Sequence, residues 1–242
     1  MEEEYGLQHG GPLPPAAQRL VAACNDLGLG LLRELLKAGE GRNLLVSPFA
    51  LSLALAVLYN GAGGDTRRVL RGVLGAHDIG DEEFNAAFMS LRRLLTGGAD
   101  VTLSLASALW VREGLRFEAP FVQAVGHYYG AEAAALDFDS PTALDAVNQW
   151  VREQTAGKIG GVIKSDDISP ATDLVLASIA YFKGQWANPF DRASTREAPF
   201  HLADGRSRSV PMMHREGSFK FYQTPLFQAV RLPYGDGRLS MD

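Results

Sequence analysis

The stretch NLLVSPFALSLALAVLYNGAGGDT, residues 43–66, carries the clearest local signals in the chain. Its first four residues, Asn43–Val46, predict a short strand. Ser47 and Pro48 predict the start of a helix. The serine side-chain oxygen can accept a hydrogen bond from an unpaired backbone amide of the first turn, and the amide hydrogen that proline lacks has no partner at the first helical position. The helix predicted over Phe49–Asn60 is apolar almost all round, which indicates burial on every side. The glycine-rich run that follows ends it.

Three further helices are predicted around this stretch. One begins at Ala16, another is capped by Asp65 and Thr66, and a third begins near Asp81. Each has apolar residues at steps of three and four, which places them on one helix face, and we expect these faces to point inward. The positions are Leu20, Cys24, Leu27, Leu31 and Leu35; Val69, Leu70, Val73 and Leu74; and Phe84, Phe88, Leu91 and Leu95.

Strands and helices alternate in the middle of the chain. Residues Val101–Val111 alternate with period two, which predicts a strand. A helix is predicted over Pro120–Gly130 and a short strand over Ala131–Phe138. Another helix, which begins at Ser140, repeats the capping serine followed by proline.

The second half of the chain is richer in strands. Leu174–Phe182 is a continuous apolar run interrupted by Ser178, which favours a central strand covered on both faces. Short strands follow, with turns at Asp204-Gly205 and Asp236-Gly237. They are predicted over Ser194–Leu202, Ser207–Met213, Ser218–Gln223 and Phe227–Pro233. Along the chain, helices come first, then strands alternating with helices, and finally short strands. This order indicates an α+β fold.

The composition excludes several classes of protein. The chain has 242 residues, of which 46% are apolar, and a formal net charge of −5. This balance is that of a folded globular protein without the basic face that nucleic acids need, so we expect no nucleic-acid partner. The longest apolar run, Leu44–Tyr59, is too short to span a membrane, so no membrane partner is expected. The acidic start shows no signal peptide.

No enzymatic motif is present. The sequence lacks H-E-x-x-H, G-x-S-x-G and C-x-x-C, and its histidines have no ligand spacing, so we predict neither enzyme activity, a cofactor nor a metal site. They are His9, His77, His127, His201 and His214. The one cysteine, Cys24, excludes an intrachain disulfide and is expected in the core.

Three patterns leave an alternative open. The glycine-rich run Gly61–Thr66 could bind phosphate, although it lacks the P-loop lysine, and a connector between helices is favoured. Arginines on two predicted helices could bind a polyanion, but exposed helix faces are favoured. These are Arg67, Arg68 and Arg71, and Arg92 with Arg93. Trp150 and the pair Met212-Met213 are expected to pack in the core rather than bind a ligand.

Five ordered blocks of residues 16–242 resemble the serpin family of protease inhibitors. They are residues 43–66; VNQWVREQTAGKI, 147–159; YFKGQWANPF, 181–190; VPMM, 210–213; and LPYGDGRLSM, 232–241. The resemblance implies a serpin-like α+β fold, in which N-terminal helices pack on a large mixed sheet. It also implies a partner, a serine or sometimes a cysteine protease. The protease cleaves an exposed loop, which then inserts into the sheet as a new strand.

The resemblance also assigns roles to residues. Leu174–Phe182 corresponds to a strand beside the insertion gap, and the helix that begins at Ser140 crosses the sheet. Asn43, Ser47 and Ser178 fall at the shutter, the polar cluster that controls the gap, and Trp186 falls at the breach, where insertion begins. Ala50 stands where the family has a second shutter serine, and Ser178 where asparagine is common.

The extent of the chain leads to further expectations. We expect a lead-in over residues 1–15 that is flexible and an incomplete serpin domain over 16–242. The C-terminal third, with the reactive bond, is not in this chain. We therefore expect a fragment with an unpaired strand edge and poor solubility, and a monomer when complete. A carrier, chaperone or other non-inhibitory relative, or an inactive truncated fragment, is the alternative function. The location is extracellular by resemblance, with a cytoplasmic location as the alternative.

Overall fold

A computed structural model describes residues 12–39, 43–98, 100–169 and 171–242. The chain divides into two compact units, residues 1–97 with 103–181 and residues 98–102 with 182–242. Most of the predicted lead-in, residues 1–11, lies outside the described residues. One incomplete domain over residues 16–242 stays a prediction. A helix with the length and apolar character of a membrane span is absent from the part of the chain that is described.

The four predicted N-terminal helices are confirmed. They are α1 (Pro15–Ala38), α2 (Pro48–Gly61), α3 (Gly64–Val73) and α4 (Asp81–Thr96). The Ser47 side chain accepts a hydrogen bond from the Ala50 amide at 3.4 Å, so the predicted cap of α2 is present. The predicted strand at residues 43–46 is wrong. This segment belongs to none of the described sheets because no described strand pairs with it, and Leu45 within it is 99% exposed.

A three-stranded sheet crosses the middle of the chain in the order β2-β1-β3. Its strands are β1 (Val101–Arg112), β2 (Glu132–Leu136) and β3 (Leu174–Gly184), and β1 runs parallel to β2. The connection from β1 to β2 contains α5 (Ala119–Ala124) and one π-helical turn that ends at Gly130, where φ is +62°. Helix α6 (Pro141–Gln154) follows β2 and begins at the predicted serine cap.

The prediction of β3 as a central strand is wrong for the described chain. Leu176 contacts one core cluster and Val175, Ala177 and Ile179 contact another, so both faces are partly covered. However, β3 stands at the end of the strand order, and most of its residues are only half-buried. Since no described strand lies beyond it, the outer edge of β3 lacks a neighbour among the described residues.

Helix α2 lies at the centre of the first unit. None of its residues from Phe49 to Asn60 is exposed, which confirms the predicted burial on all sides. Gly28 of α1 makes this packing possible, because a Cβ atom there would lie 2.3 Å from the Pro48 side chain. Helix α3 is covered less than predicted: Val69 is 61% exposed, and Val73 is exposed as well.

A second core cluster lies between the sheet and α6. Trp110 and Trp150 meet edge-on there, with ring centroids 5.5 Å apart, and Val147 is fully buried beside them. The Trp150 indole donates a hydrogen bond to the Glu132 carboxylate at 3.0 Å. The prediction that Trp150 packs in the core is confirmed.

The second unit contains a hairpin and a small antiparallel sheet. The hairpin pairs β4 (Arg196–His201) with β5 (Ser207–Met212), and the sheet has the order β6-β7-β8. Its strands are β6 (Lys220–Gln223), β7 (Gln228–Tyr234) and β8 (Leu239–Met241). The two predicted turns are confirmed, with Gly205 and Gly237 at φ of +83° and +86°. Met212 and Met213 are exposed, so the prediction that they pack in the core is wrong: their segment lies on the surface of this unit.

A polar network joins the ends of α2, α3 and α4. The Tyr59 hydroxyl and the Arg67 guanidinium both donate to the Asp81 carboxylate, and Arg67 lies 4.2 Å from the centre of the Tyr59 ring. Arg71 donates to the carbonyl oxygens of Ala76 and Ile79. Arg67 and Arg71 are therefore half-buried structural residues rather than members of an exposed helix face.

We expect Asp81→Asn to lower the free energy of unfolding at neutral pH by about 1 kcal/mol, the size of a partly exposed charged hydrogen bond. The hydrogen bond from Tyr59, above all, holds the pKa of Asp81 below its usual range. Its carboxylate therefore stabilises the fold above the pKa of the unfolded state, and this contribution is lost as the pH falls through the lowered pKa. The variant should accordingly lose less stability on acidification. Urea unfolding at neutral and acidic pH measures both effects, with exposed Asp78→Asn as the control.

Candidate functional site

Hydroxyl groups of β1 and β3 meet the first turn of α2. The Ser178 hydroxyl on β3 donates to the Ala50 carbonyl oxygen at 3.0 Å, and the Ser107 hydroxyl on β1 donates to Ser178 at 3.3 Å. Ala50 is also the residue whose amide Ser47 caps. We call Ser47, Ala50, Ser107 and Ser178 the serine cluster. Through the half-buried Ser178 hydroxyl, this cluster connects β1 and β3 with the buried helix α2.

The cluster lies at the edge of the core, where its hydrogen bonds are costly to break. Ser107 is only 4% exposed, so its hydroxyl has little access to water as an alternative partner. Ala50 contributes only backbone atoms, and its carbonyl oxygen has the lone pairs to accept from Ser178. A displacement of β3 relative to α2 would break the hydrogen bond from Ser178 to the Ala50 carbonyl oxygen.

A second buried hydroxyl lies one turn along α2. Ser52 is fully buried, and its hydroxyl donates to the Pro48 carbonyl oxygen at 2.9 Å. The same side chain lies beside Cys24, and burial raises the pKa of that thiol. Cys24 therefore packs in the core as a neutral thiol, as predicted.

The structure brings together three of the four predicted shutter residues. Ser47, Ala50 and Ser178 belong to the serine cluster, whereas Asn43 is exposed and shares none of its hydrogen bonds with the residues described. Ser107 was missed by sequence analysis. Its signal was a serine in the otherwise apolar phase of the β1 alternation, between Leu105 and Leu109.

Trp186 belongs to an aromatic group in the second unit. Its ring stacks on that of buried Tyr234, with centroids 4.3 Å apart and an interplanar angle of 13°. Phe182 meets the same tyrosine edge-on at 4.9 Å, and Phe190 meets Trp186 at 5.9 Å. Gly184 is required here, because a Cβ atom would lie 2.9 Å from the Tyr234 ring.

Neither group contains the donors that metal chemistry requires. Within the described ranges, no three histidine, cysteine, aspartate or glutamate side chains are grouped to hold a metal ion. The glycine-rich run predicted as a connector ends α2 and begins α3, so it joins two helices as favoured.

A family model described as serpin (serine protease inhibitor) matches residues 22–242. The chain belongs to the serpin family. Leukocyte elastase inhibitor of Sus scrofa is a similar serpin, 35% identical over 93% of this chain and 60% of its own length. An uncharacterized serpin-like protein of Thermococcus kodakarensis is 35% identical over 92% of this chain and 52% of its own length.

Solved serpin structures agree with the α+β fold. Ovalbumin from emu superposes with a TM-score of 0.86 and 26% identity, over 92% of this chain and 62% of that one. Human thyroxine-binding globulin gives a TM-score of 0.83 and 27% identity, over 90% of this chain and 60% of that one. The serpin resemblance and the fold class are therefore confirmed.

The matches also define what part of a serpin this chain represents. It spans between 52% and 60% of the length of the two curated relatives named above. The family model describes protease inhibitors, and leukocyte elastase inhibitor and corticosteroid-binding globulin are named as an inhibitor and a binding globulin, which agrees with the prediction that the chain is not an enzyme.

We expect Ser178→Ala to lower the free energy of unfolding of the first unit by about 1–2 kcal/mol, because it leaves the buried Ser107 hydroxyl and the Ala50 carbonyl without this partner. Urea unfolding followed by circular dichroism measures the change. Ser104→Ala is the matched control, a half-buried serine of β1 outside the serine cluster. Equal effects of the two variants would contradict the importance of the cluster.

Proposed function

We propose that this chain is part of a serine protease inhibitor that acts by cleavage of an exposed loop and insertion of that loop into the sheet. The observation that carries the proposal is the match of the serpin (serine protease inhibitor) family model over residues 22–242, together with the 35% identity to leukocyte elastase inhibitor. An extended segment that pairs with the outer edge of β3 would gain main-chain hydrogen bonds. Serpins generally bind target proteases, and serine proteases are the partners proposed for the whole protein.

We assign the shutter role to the serine cluster. The hydrogen bond from Ser178 to the Ala50 carbonyl holds β3 against α2, so opening of the sheet beside β3 requires its loss. Serine is shorter than the asparagine common at position 178, and Ala50 offers no side-chain hydroxyl. Asn43 keeps its shutter assignment only from the resemblance, and Trp186 is proposed at the breach because its stacked pair with Tyr234 follows directly after β3.

A binding protein without inhibitory activity is the second candidate. Corticosteroid-binding globulin of Oryctolagus cuniculus is 34% identical over 90% of this chain, and thyroxine-binding globulin has the same fold. Both names state that those proteins bind a small ligand. A monomeric state and an extracellular location, with the cytoplasm as the alternative, remain predictions from the resemblance.

The inhibitor proposal is tested with a product of the same gene that extends over the full length of the serpin relatives. Mixed with a trypsin-like or a subtilisin-like serine protease, it should form a complex that survives SDS and boiling, because the protease stays covalently attached to the loop. The 242-residue chain is the control and should form none. Loop cleavage without a complex would replace the inhibitor proposal with the binding-protein candidate.

Strand addition at β3 is tested separately on the 242-residue chain with a synthetic extended peptide of alternating small and apolar residues. Peptide binding should raise the midpoint of thermal unfolding by roughly 2–4 °C per kcal/mol of binding free energy. A peptide with prolines at alternate positions is the control, since proline cannot donate to a strand ladder. Equal effects of the two peptides would show that β3 does not accept a strand.

A further inference from the structure

One face of the small sheet in the second unit holds a cationic pocket. The pocket has a volume of about 410 Å³ and is lined by Arg215, Lys220, Arg231 and Arg238, together with the hydroxyls of Ser218 and Ser240. Four positive side chains around one cavity are unexpected in a chain whose formal net charge is −5. The positive charge is therefore local to this pocket and does not reflect the overall composition.

Strand pairing places two of these cations side by side. Lys220 of β6 lies directly opposite Arg231 of β7, so the two side chains project from the same face. Like charges at directly opposite positions destabilise an antiparallel pair. Pro233, two residues along β7 and opposite Ser240, contributes to the same pocket with a small side chain.

The carboxylates nearby neutralise only part of this charge. Asp242 binds Arg231 through two hydrogen bonds of 2.6 Å, and Asp236 binds Arg238 at 3.2 Å. Among the described residues, no carboxylate lies within ion-pair distance of Lys220. Lys220 therefore carries a charge that the fold does not compensate.

Arg215 supplies the second uncompensated charge, and its guanidinium is held in place. It donates to the Asn188 carbonyl oxygen at 3.2 Å and lies 5.0 Å from the centre of the Phe219 ring. Neither contact neutralises it, and no described carboxylate pairs with it. A guanidinium held in this way matches the geometry of an oxyanion and loses little conformational freedom on binding one.

We propose that this pocket binds a tetrahedral dianion, the phosphate or sulfate group of a larger molecule. Lys220 and Arg215 supply the two charges, and the Ser218 and Ser240 hydroxyls supply neutral donors to further oxygens. The proposal is independent of protease inhibition, since every residue involved belongs to the second unit and none belongs to the serine cluster.

The test measures binding of inorganic phosphate and of sulfate to the 242-residue chain by calorimetry, with ionic strength held constant by chloride. Lys220→Glu is the decisive variant, and Arg215→Gln is a second. Each should weaken binding by about tenfold or more, because a charge-assisted hydrogen bond contributes on the order of 1.4 kcal/mol, or one decade in affinity. Lys158→Glu, the same change at an exposed lysine of the first unit, is the matched control and should change affinity less than about twofold.

Lys220→Glu also separates binding from folding. It places a carboxylate opposite Arg231, so the variant should unfold at the same temperature as the parent chain or higher. The proposal is supported if Lys220→Glu no longer binds an anion that Lys158→Glu still binds. The relative affinities for phosphate and sulfate then identify the preferred group. Failure of the parent chain to bind both anions, or equal binding by parent and Lys220→Glu, would overturn it.

Discussion

Helix α2 is covered on every side, and this constraint positions the rest of the first unit. A helix with no exposed residue from Phe49 to Asn60 must be surrounded by other elements before it is stable in water. Gly28 allows α1 to lie directly against Pro48, and aromatic residues of α4 pack against Phe49 and Tyr59. The position of the helix N-terminus then determines which carbonyl group Ser178 can reach.

Local sequence signals were sufficient to predict most of the helices and the hairpins. The caps at Ser47 and Ser140 and the glycines of the two turns act through atoms close in sequence, so the pattern alone predicts them. Residues 43–46 show the limit of this reasoning. An extended apolar run becomes a strand only when another strand pairs with it, and no local pattern contains that information.

The candidate site depended on long-range contacts that periodicity cannot supply. Ser107 and Ser178 are 71 residues apart in the chain, and their hydroxyls meet only because β1 and β3 pair. The exposure of Val69 and Val73 has the same origin, since an apolar helix face indicates what could be covered but not whether a neighbour covers it. The serpin resemblance supplied most of the site residues, and the three-dimensional contacts added Ser107 and left Asn43 outside.

The single cysteine has a practical consequence. Cys24 is enclosed beside Ser52 against the helix on which the serine cluster rests, and no other thiol is present in the sequence. A disulfide reagent can react with it only after the surrounding helices separate. The rate at which Cys24 is labelled therefore measures how often the surrounding helices separate. No further cysteine has to be introduced for this measurement.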